Sequence, residues 1–274
     1  MIYGSLSEFI KYLLLGLVQG FTEPLPISSS GHVIIFKNII KLTMDDEINF
    51  NIFVNFGSLI AILFFYRLFL KDIIGGAFKY IFKKDKAHKN DFIYCVLVVV
   101  ATIPAGIAGL LLKDTIDDKF SSLLSVGICL FITGLLLLFI HSVSKYATTE
   151  HITLKTSILM GLAQVIGLFP GISRSGSTTS LGVLNKVQLE KALRFSFMMY
   201  IPISFASLIL GFKDLDTRTA YIPGYIVAFF MSIIGTYLAI KWFFKLVRKD
   251  NLKYFGYYCL IISLSVLFYL AFKK

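Results

Sequence analysis

Charge is scarce in this chain. Only 16% of its 274 residues are Asp, Glu, Lys or Arg, where a soluble globular domain typically carries about 25%. Cysteine is nearly absent. Cys95, Cys129 and Cys259 stand in separate apolar runs with no CxxC, which excludes a disulfide framework or a thiolate metal centre and leaves them as packing residues. There is one Trp against 27 Phe and 14 Tyr. The N-terminus lacks a basic n-region and a small-residue cleavage site, so no cleavable signal is expected. Little but lipid suits a chain with so few charges and a positive mean hydropathy.

The net charge of +11 invites a nucleic-acid reading. The placement of the charges excludes it, because the basic residues cluster in short segments between apolar runs, the pattern of cytoplasmic loops in membrane proteins. Six stretches read as membrane spans: Ile48–Tyr66, Phe92–Leu112, Phe120–Ile140, the shorter Phe195–Phe212, Tyr221–Ile240 and Tyr254–Phe272. Two further apolar regions are interrupted. Leu6–Ile40 is broken at Thr22–His32, and Thr156–Val187 at Pro170–Ser180.

Loop charge assigns the sides. Lys71–Asp91 carries six Lys against three Asp, and Lys241–Lys253 carries five Lys/Arg against one Asp, so both are expected inside. The segments Lys113–Lys119 and Lys213–Ala220 are balanced or acidic and are expected as outer loops. Ser142–Lys155 then falls inside. Parity makes both interrupted regions re-entrant hairpins, entering from opposite faces.

The two interrupted regions align without gaps at an offset of 145. Gly16/Gly161, Leu17/Leu162, Gln19/Gln164, Ile27/Ile172, Ser28/Ser173, Ser30/Ser175 and Gly31/Gly176 are identical pairs. The expected fold is all-α and polytopic, a single integral membrane domain over 1–274. It holds two inverted repeats, about 1–145 and about 150–274, each a re-entrant helical hairpin plus three transmembrane helices. Inverted repeats with interrupted helices put a polar site at the repeat interface, where irregular backbone survives only if buried in protein or lining a wet cavity.

The first break carries Gln19, Glu23, Ser28, Ser29, Ser30, Gly31 and His32. Gln19 and Glu23 share a helix face. A carboxylate inside a membrane segment is costly unless partnered, which marks Glu23 as functional. Three serines and a glycine ahead of a helix suit an anion, since one serine suffices for a cap. His32 suits a nucleophile, a general acid/base or a hydrogen-bond donor. The second break carries Gly171, Ser173, Arg174, Ser175, Gly176, Ser177 and Thr178. It repeats the hydroxyl-rich helix start and adds a guanidinium suited to bidentate phosphate binding. The combined set suits phosphoryl transfer. Gln19 and Glu23 could also lend oxygens to a divalent cation, which would need phosphate and water to complete its shell. His88, His141 and His151 fall in or beside basic loops with no partner pattern, and Asp114, Asp117 and Asp118 read as a solvated loop.

At these residues the chain resembles the undecaprenyl-diphosphate phosphatase family of the bacitracin-resistance type. Gln19, Glu23, Pro26, Ser28–Ser30, Gly31 and His32 match its first motif, and Pro170 through Thr178 its second. The resemblance spans essentially the whole chain. It implies removal of the terminal phosphate of undecaprenyl diphosphate to give the monophosphate carrier for cell-wall assembly. It also implies a divalent cation, Mg2+ or Ca2+, a bacterial inner-membrane location and an active site open to the outer face. Glu23 and Gln19 would engage the metal, and Ser29 or His32 would attack or assist. Arg174 with Ser173, Ser175 and Thr178, and with the flanking Ser28, Ser30, Gly31, Gly171 and Gly176, would hold the diphosphate. The implied partners are the prenyl lipid and membrane lipid, with a homodimer as the candidate assembly and no nucleic acid. The chain departs at Pro24, where an aromatic is usual, and at Gln19, where many members carry Glu. Gln cannot act as a base, so weight shifts to Glu23. An acid-phosphatase relationship would need a His six residues after Ser173-Arg174, and none occurs before Val187. The rival of another class is a prenyl-phosphate flippase or other inverted-repeat transporter.

Overall fold

Long apolar helices and short paired ones make up the computed structural model, which describes residues 6–42, 47–211, 221–247 and 251–272. In chain order the helices are α1 (Leu6–Thr22), α2 (Ser29–Ile39), α3 (Glu47–Phe65), α4 (Arg67–Lys83), α5 (Lys89–Phe120), α6 (Leu123–Ser144), α7 (Leu154–Ile166), α8 (Arg174–Leu184), α9 (Leu189–Gly211), α10 (Ile222–Val247) and α11 (Leu252–Phe272). Among the described residues the only β pairing is an isolated bridge between Thr149 and Val187.

Helices α5, α6, α9, α10 and α11 are each long and apolar enough to cross a membrane, and the α3–α4 pair supplies up to a sixth crossing. Large apolar side chains stand exposed along them, among them Leu110, Ile261 and Phe268. Such a surface demands lipid, and the chain is a multi-pass membrane protein. The arms of the two interrupted regions are shorter. Helices α2 and α8 have 11 residues each, about 16 Å at 1.5 Å per residue, half of a hydrocarbon core of about 30 Å.

Three expectations are corrected. Lys71–Asp91 is not a plain loop: most of it lies in α4, which turns 75° away from α3. Lys71, Lys79 and Lys83 alternate there with the exposed Leu68, Phe78 and Phe82, the mix that suits a helix at the headgroup layer. Lys113–Lys119 is likewise the end of α5, which runs unbroken for 32 residues. Asp118 is exposed there, while the side chains of Asp114 and Asp117 lie outside the described residues. The second break ends early, because Ser175–Ser180 belongs to α8. Hydroxyls of Ser177, Thr178 and Ser180 bond back to the carbonyls four residues earlier, so a buried serine-rich run stays helical with its polar groups satisfied. The loop at 213–220 lies outside the described residues, as do positions 248–250 of the Lys241–Lys253 segment.

Helix partners follow an exchange pattern. Helix α1 packs on α10 and α7 on α5, while α3 packs on α9 and α6 on α11. The aligned glycines do the same work in both places. A Cβ at Gly16 would collide with the carbonyl of Ala228, and one at Gly161 with the carbonyl of Ala101. Small residues permit this backbone approach inside a membrane. Buried hydroxyls bond across neighbouring helices, with Thr236 donating to the Gly20 carbonyl at 2.9 Å and Ser157 to the Leu97 carbonyl at 2.7 Å.

Candidate active site where two hairpins meet

The breaks between α1 and α2 and between α7 and α8 meet tip to tip. Ser28 caps α2 by accepting from the Gly31 N–H at 3.4 Å, and Ser173 caps α8 by accepting from the Gly176 N–H at 3.0 Å. In each turn the capping hydroxyl pairs with the one two residues on, Ser28 with Ser30 at 3.4 Å and Ser173 with Ser175 at 3.3 Å. The aligned serines thus perform the same local task. Across the tips, Ser28 Oγ also accepts from the Gly171 N–H at 3.0 Å, and Ser175 donates to the Leu25 carbonyl at 3.3 Å. A Cβ at Gly31 would lie 3.0 Å from the Gly171 Cα. Gly171 itself has φ +97, in the region glycine tolerates. Thr133 of α6 braces this turn, donating to the Gly171 carbonyl at 2.9 Å and accepting from the Ser173 N–H at 3.1 Å.

Both helix starts border one cavity of about 280 Å³. Of the residues expected at the site, Gln19, Glu23, Ser28, Ser29, Ser30, Ser173, Arg174 and Ser175 line it. Glu23 is the hub. Ser29 Oγ and Gln19 Nε2 donate to its Oε2, the latter at 2.8 Å, and Arg174 donates to its Oε1. The carboxylate is buried, with its charge met by the guanidinium, as a buried charge requires. Arg174 lies over the Tyr200 ring with its Cζ 4.1 Å from the centroid, a contact that holds the fork flat.

His32, Gly31, Gly171, Gly176 and Thr178 are absent from the lining. Thr178 sits one turn deeper, donating to the Arg174 carbonyl at 2.9 Å and pairing with Ser196 at 2.6 Å. The three glycines shape the turns. His32 faces α11: its Nδ1 is 2.8 Å from the Ser28 carbonyl and its Nε2 3.0 Å from the Tyr258 hydroxyl, with the two rings stacked. A carbonyl only accepts, so Nδ1 carries the proton and Nε2 receives the Tyr258 hydroxyl. Nδ1 thus holds the carbonyl of Ser28, whose φ of 67 is costly for a non-glycine residue, while Nε2 ties the ring to α11.

Several lining residues escape sequence reasoning. Asn55 of α3 accepts from Gln19 at 2.7 Å, and its carbonyl accepts from the Tyr200 hydroxyl at 3.1 Å. Asn51, Ser204 and Ser207 join them from the same two helices. Gln164 lines the cavity at 1% exposure, and among the described residues neither of its side-chain polar atoms has a partner. Its offset of 145 from Gln19 marked it as a repeat position but not as a site residue. Elsewhere, His88 has partners after all, Asp91 at 2.8 Å and Asp85 at 3.9 Å.

Chemically, the cavity offers a serine hydroxyl on a carboxylate, a guanidinium and two helix N-termini. First-turn N–H groups lack intrahelical partners. Ser28 and Ser173 take those of Gly31 and Gly176, and the N–H groups ahead of them remain for an anion. A resident metal fits less well. Among the described residues no group of three or more His, Cys, Asp or Glu converges, and the one carboxylate present is already neutralised by Arg174.

Residues 12–265 match the family model described as "Bacitracin resistance protein BacA". Among similar proteins, "Undecaprenyl-diphosphatase 2" of Bacillus thuringiensis (strain Al Hakam) is 42% identical over 265 residues, covering 95% of this chain and 97% of the relative. "Undecaprenyl-diphosphatase" of Oceanobacillus iheyensis is 40% identical over 275 residues, covering 98% and 99%. "Undecaprenyl-diphosphatase 1" of Halalkalibacterium halodurans is 40% identical over 262 residues, covering 94% and 95%.

Proposed function

The chain belongs to the bacitracin-resistance BacA family, and we propose that it hydrolyses undecaprenyl diphosphate to undecaprenyl phosphate and inorganic phosphate, recycling the lipid carrier for cell-wall synthesis. The observation that carries this reading is the convergence of Ser29 and Arg174 on Glu23. A carrier needs no nucleophile beside a proton acceptor, so the geometry favours the enzyme over a flippase.

In this mechanism Ser29 Oγ attacks the terminal phosphorus and passes its proton to Glu23 Oε2. The bond from that phosphorus to the bridging oxygen breaks, and the lipid monophosphate leaves with the electron pair. Water then attacks the phosphoserine, freeing phosphate and restoring the hydroxyl. Arg174 turns part of its fork from Glu23 to the phosphoryl oxygens, and the starts of α2 and α8 stabilise the same charge. Ser28, Ser30, Ser173 and Ser175 hold the diphosphate. His32 is a positioning residue that acts through Ser28. A divalent cation, Mg2+ or Ca2+, arriving with the diphosphate would be held by side-chain oxygens of Gln19 and Glu23 and would supply neutralisation of the phosphate charge.

The cavity takes Asn51 and Asn55 from the start of α3 and Ser204 and Ser207 from the end of α9. That end lies away from the basic Arg67–Lys83 and Lys241–Lys245 segments, which supports an outer-face active site in the bacterial cell membrane. Hairpins meeting at their tips, and the exchange of helix partners, support inverted repeats.

The test is phosphate release from undecaprenyl diphosphate by purified protein in detergent with Mg2+ or Ca2+. Release by wild type, lost in Glu23→Gln, supports the proposal. No release by wild type overturns it.

A further inference from the structure

At the other end of α3 and α9 lies a second cavity of about 450 Å³. From Asn51 to Phe65 helix α3 rises about 21 Å at 1.5 Å per residue, so this cavity is separate from the phosphatase site. Its charged lining is Arg194, Lys241, Lys245 and Glu190, against walls of Phe65 and Phe244. Lys241 and Lys245 stand one turn apart on α10, where like charges repel. Among the described residues neither has a carboxylate partner. Arg194 has Glu190 at 3.6 Å, and among the described lining residues three cations stand against one carboxylate. A second observation points inward. Tyr66 lines the same cavity at 7% exposure, and among the described residues its hydroxyl has no partner. A buried unpaired hydroxyl is costly unless a ligand satisfies it.

Next along α10 is an apolar groove of about 390 Å³ between α3 and α10. Its walls include Ile60, Phe64, Ile233, Ile234 and Leu238, with apolar surface alone. On α10 the groove positions 234 and 238 continue in helical steps to 241 and 245, so one face carries both features. Tyr237 joins them, since it lines the groove and lies under Lys241 Nζ at 4.4 Å from its ring centroid.

A cationic pocket with a free hydroxyl donor, running into an apolar groove, matches an anionic amphiphile. We propose that this is a binding site for a phosphate-bearing membrane lipid. Arg194, Lys241, Lys245 and Tyr66 take the phosphate, and one hydrocarbon chain lies along the α3–α10 groove. By the positive-inside pattern the headgroup belongs to the inner leaflet.

Native mass spectrometry of the purified full chain tests this with dioleoyl phosphatidate, dioleoyl phosphatidylcholine and inorganic phosphate as probes. Wild type should retain phosphatidate about tenfold better than phosphatidylcholine, the worth of one charge-assisted hydrogen bond. The Lys241→Gln/Lys245→Gln double variant should lose that preference, and Tyr66→Phe should weaken it. Ile234→Trp, which fills the groove and leaves the cations intact, should reduce phosphatidate retention. Unchanged phosphate release by each variant reports that it is folded, and the conservative Tyr66→Phe carries the test if the double variant is not. No preference in wild type, or equal preference in all variants, overturns the proposal. Displacement of the lipid by millimolar inorganic phosphate also overturns it, because the site would then recognise a free anion without its chain.

Discussion

Arg174 donates to Glu23 across 151 positions of sequence, and the pair ties the two hairpin turns into one site. The same carboxylate receives the Ser29 hydroxyl. Neither hairpin alone contains both an anion-binding cation and a proton acceptor.

Replacement of Arg174 should therefore show what the fork adds beyond charge. Arg174→Lys keeps the positive charge but loses bidentate binding and stacking over Tyr200. The expected loss in kcat/KM is about one to two orders of magnitude, the worth of one charge-assisted hydrogen bond. Steady-state phosphate release checks it, and wild-type kinetics in Arg174→Lys would show that a point charge suffices.

Ser29 and His32 should separate sharply. Ser29→Ala removes the attacking oxygen and should cost about three orders of magnitude or more in kcat. His32→Gln loosens the Ser28 turn and should cost about tenfold, and Tyr258→Phe less. A collapse of kcat in His32→Gln with Ser29→Ala still active would reverse the two roles.

Gln164 offers a test in which stability and function move apart. Its amide is buried and has no partner among the described residues, and leaving such a group unsatisfied costs about 1–3 kcal/mol. Gln164→Leu should raise KM while leaving the thermal midpoint in detergent unchanged or higher. A lower midpoint with unchanged KM would make Gln164 a packing residue.

The aligned glycines predict matched damage. Gly16→Ala and Gly161→Ala each push a methyl group into a backbone carbonyl of the neighbouring helix, at a cost of about 1–3 kcal/mol. Gly109 meets nothing within 4 Å, so Gly109→Ala is the control and should not destabilise. Thermal unfolding of the three variants in detergent reads the contrast.

The metal assignment has its own readout. Substrate-free protein should bind neither Mg2+ nor Ca2+ tightly in equilibrium dialysis, because Arg174 already neutralises Glu23. Stoichiometric binding without diphosphate would mean a resident site.

Much of this was legible in the residue pattern. Identity at an offset of 145 picked out Ser28 and Ser173 in the turns and Gly16 and Gly161 in α1 and α7, and each pair makes contacts of the same form. The apolar runs located the long helices because lipid requires them. The less legible parts depend on direction. His32 lies one turn from Ser29, yet the two side chains leave α2 toward different neighbours, the α11 ring and the cavity. Asn55 and Tyr200 are isolated polar residues on apolar helices, and only the packing of these helices brings them to Gln19 and Arg174. The basic composition of Arg67–Lys83 masked a helix, since lysines that face headgroups resemble those of a loop.

Trapping the covalent intermediate distinguishes serine attack from attack by His32 or by water. Purified protein would be mixed with undecaprenyl diphosphate carrying a labelled terminal phosphate, acid-quenched within one turnover and digested for peptide mapping. The label should sit on Ser29, and Glu23→Gln should sharply reduce its formation. Label on His32, or hydrolysis with no labelled peptide at any time point, would contradict serine attack at the junction of the two hairpins.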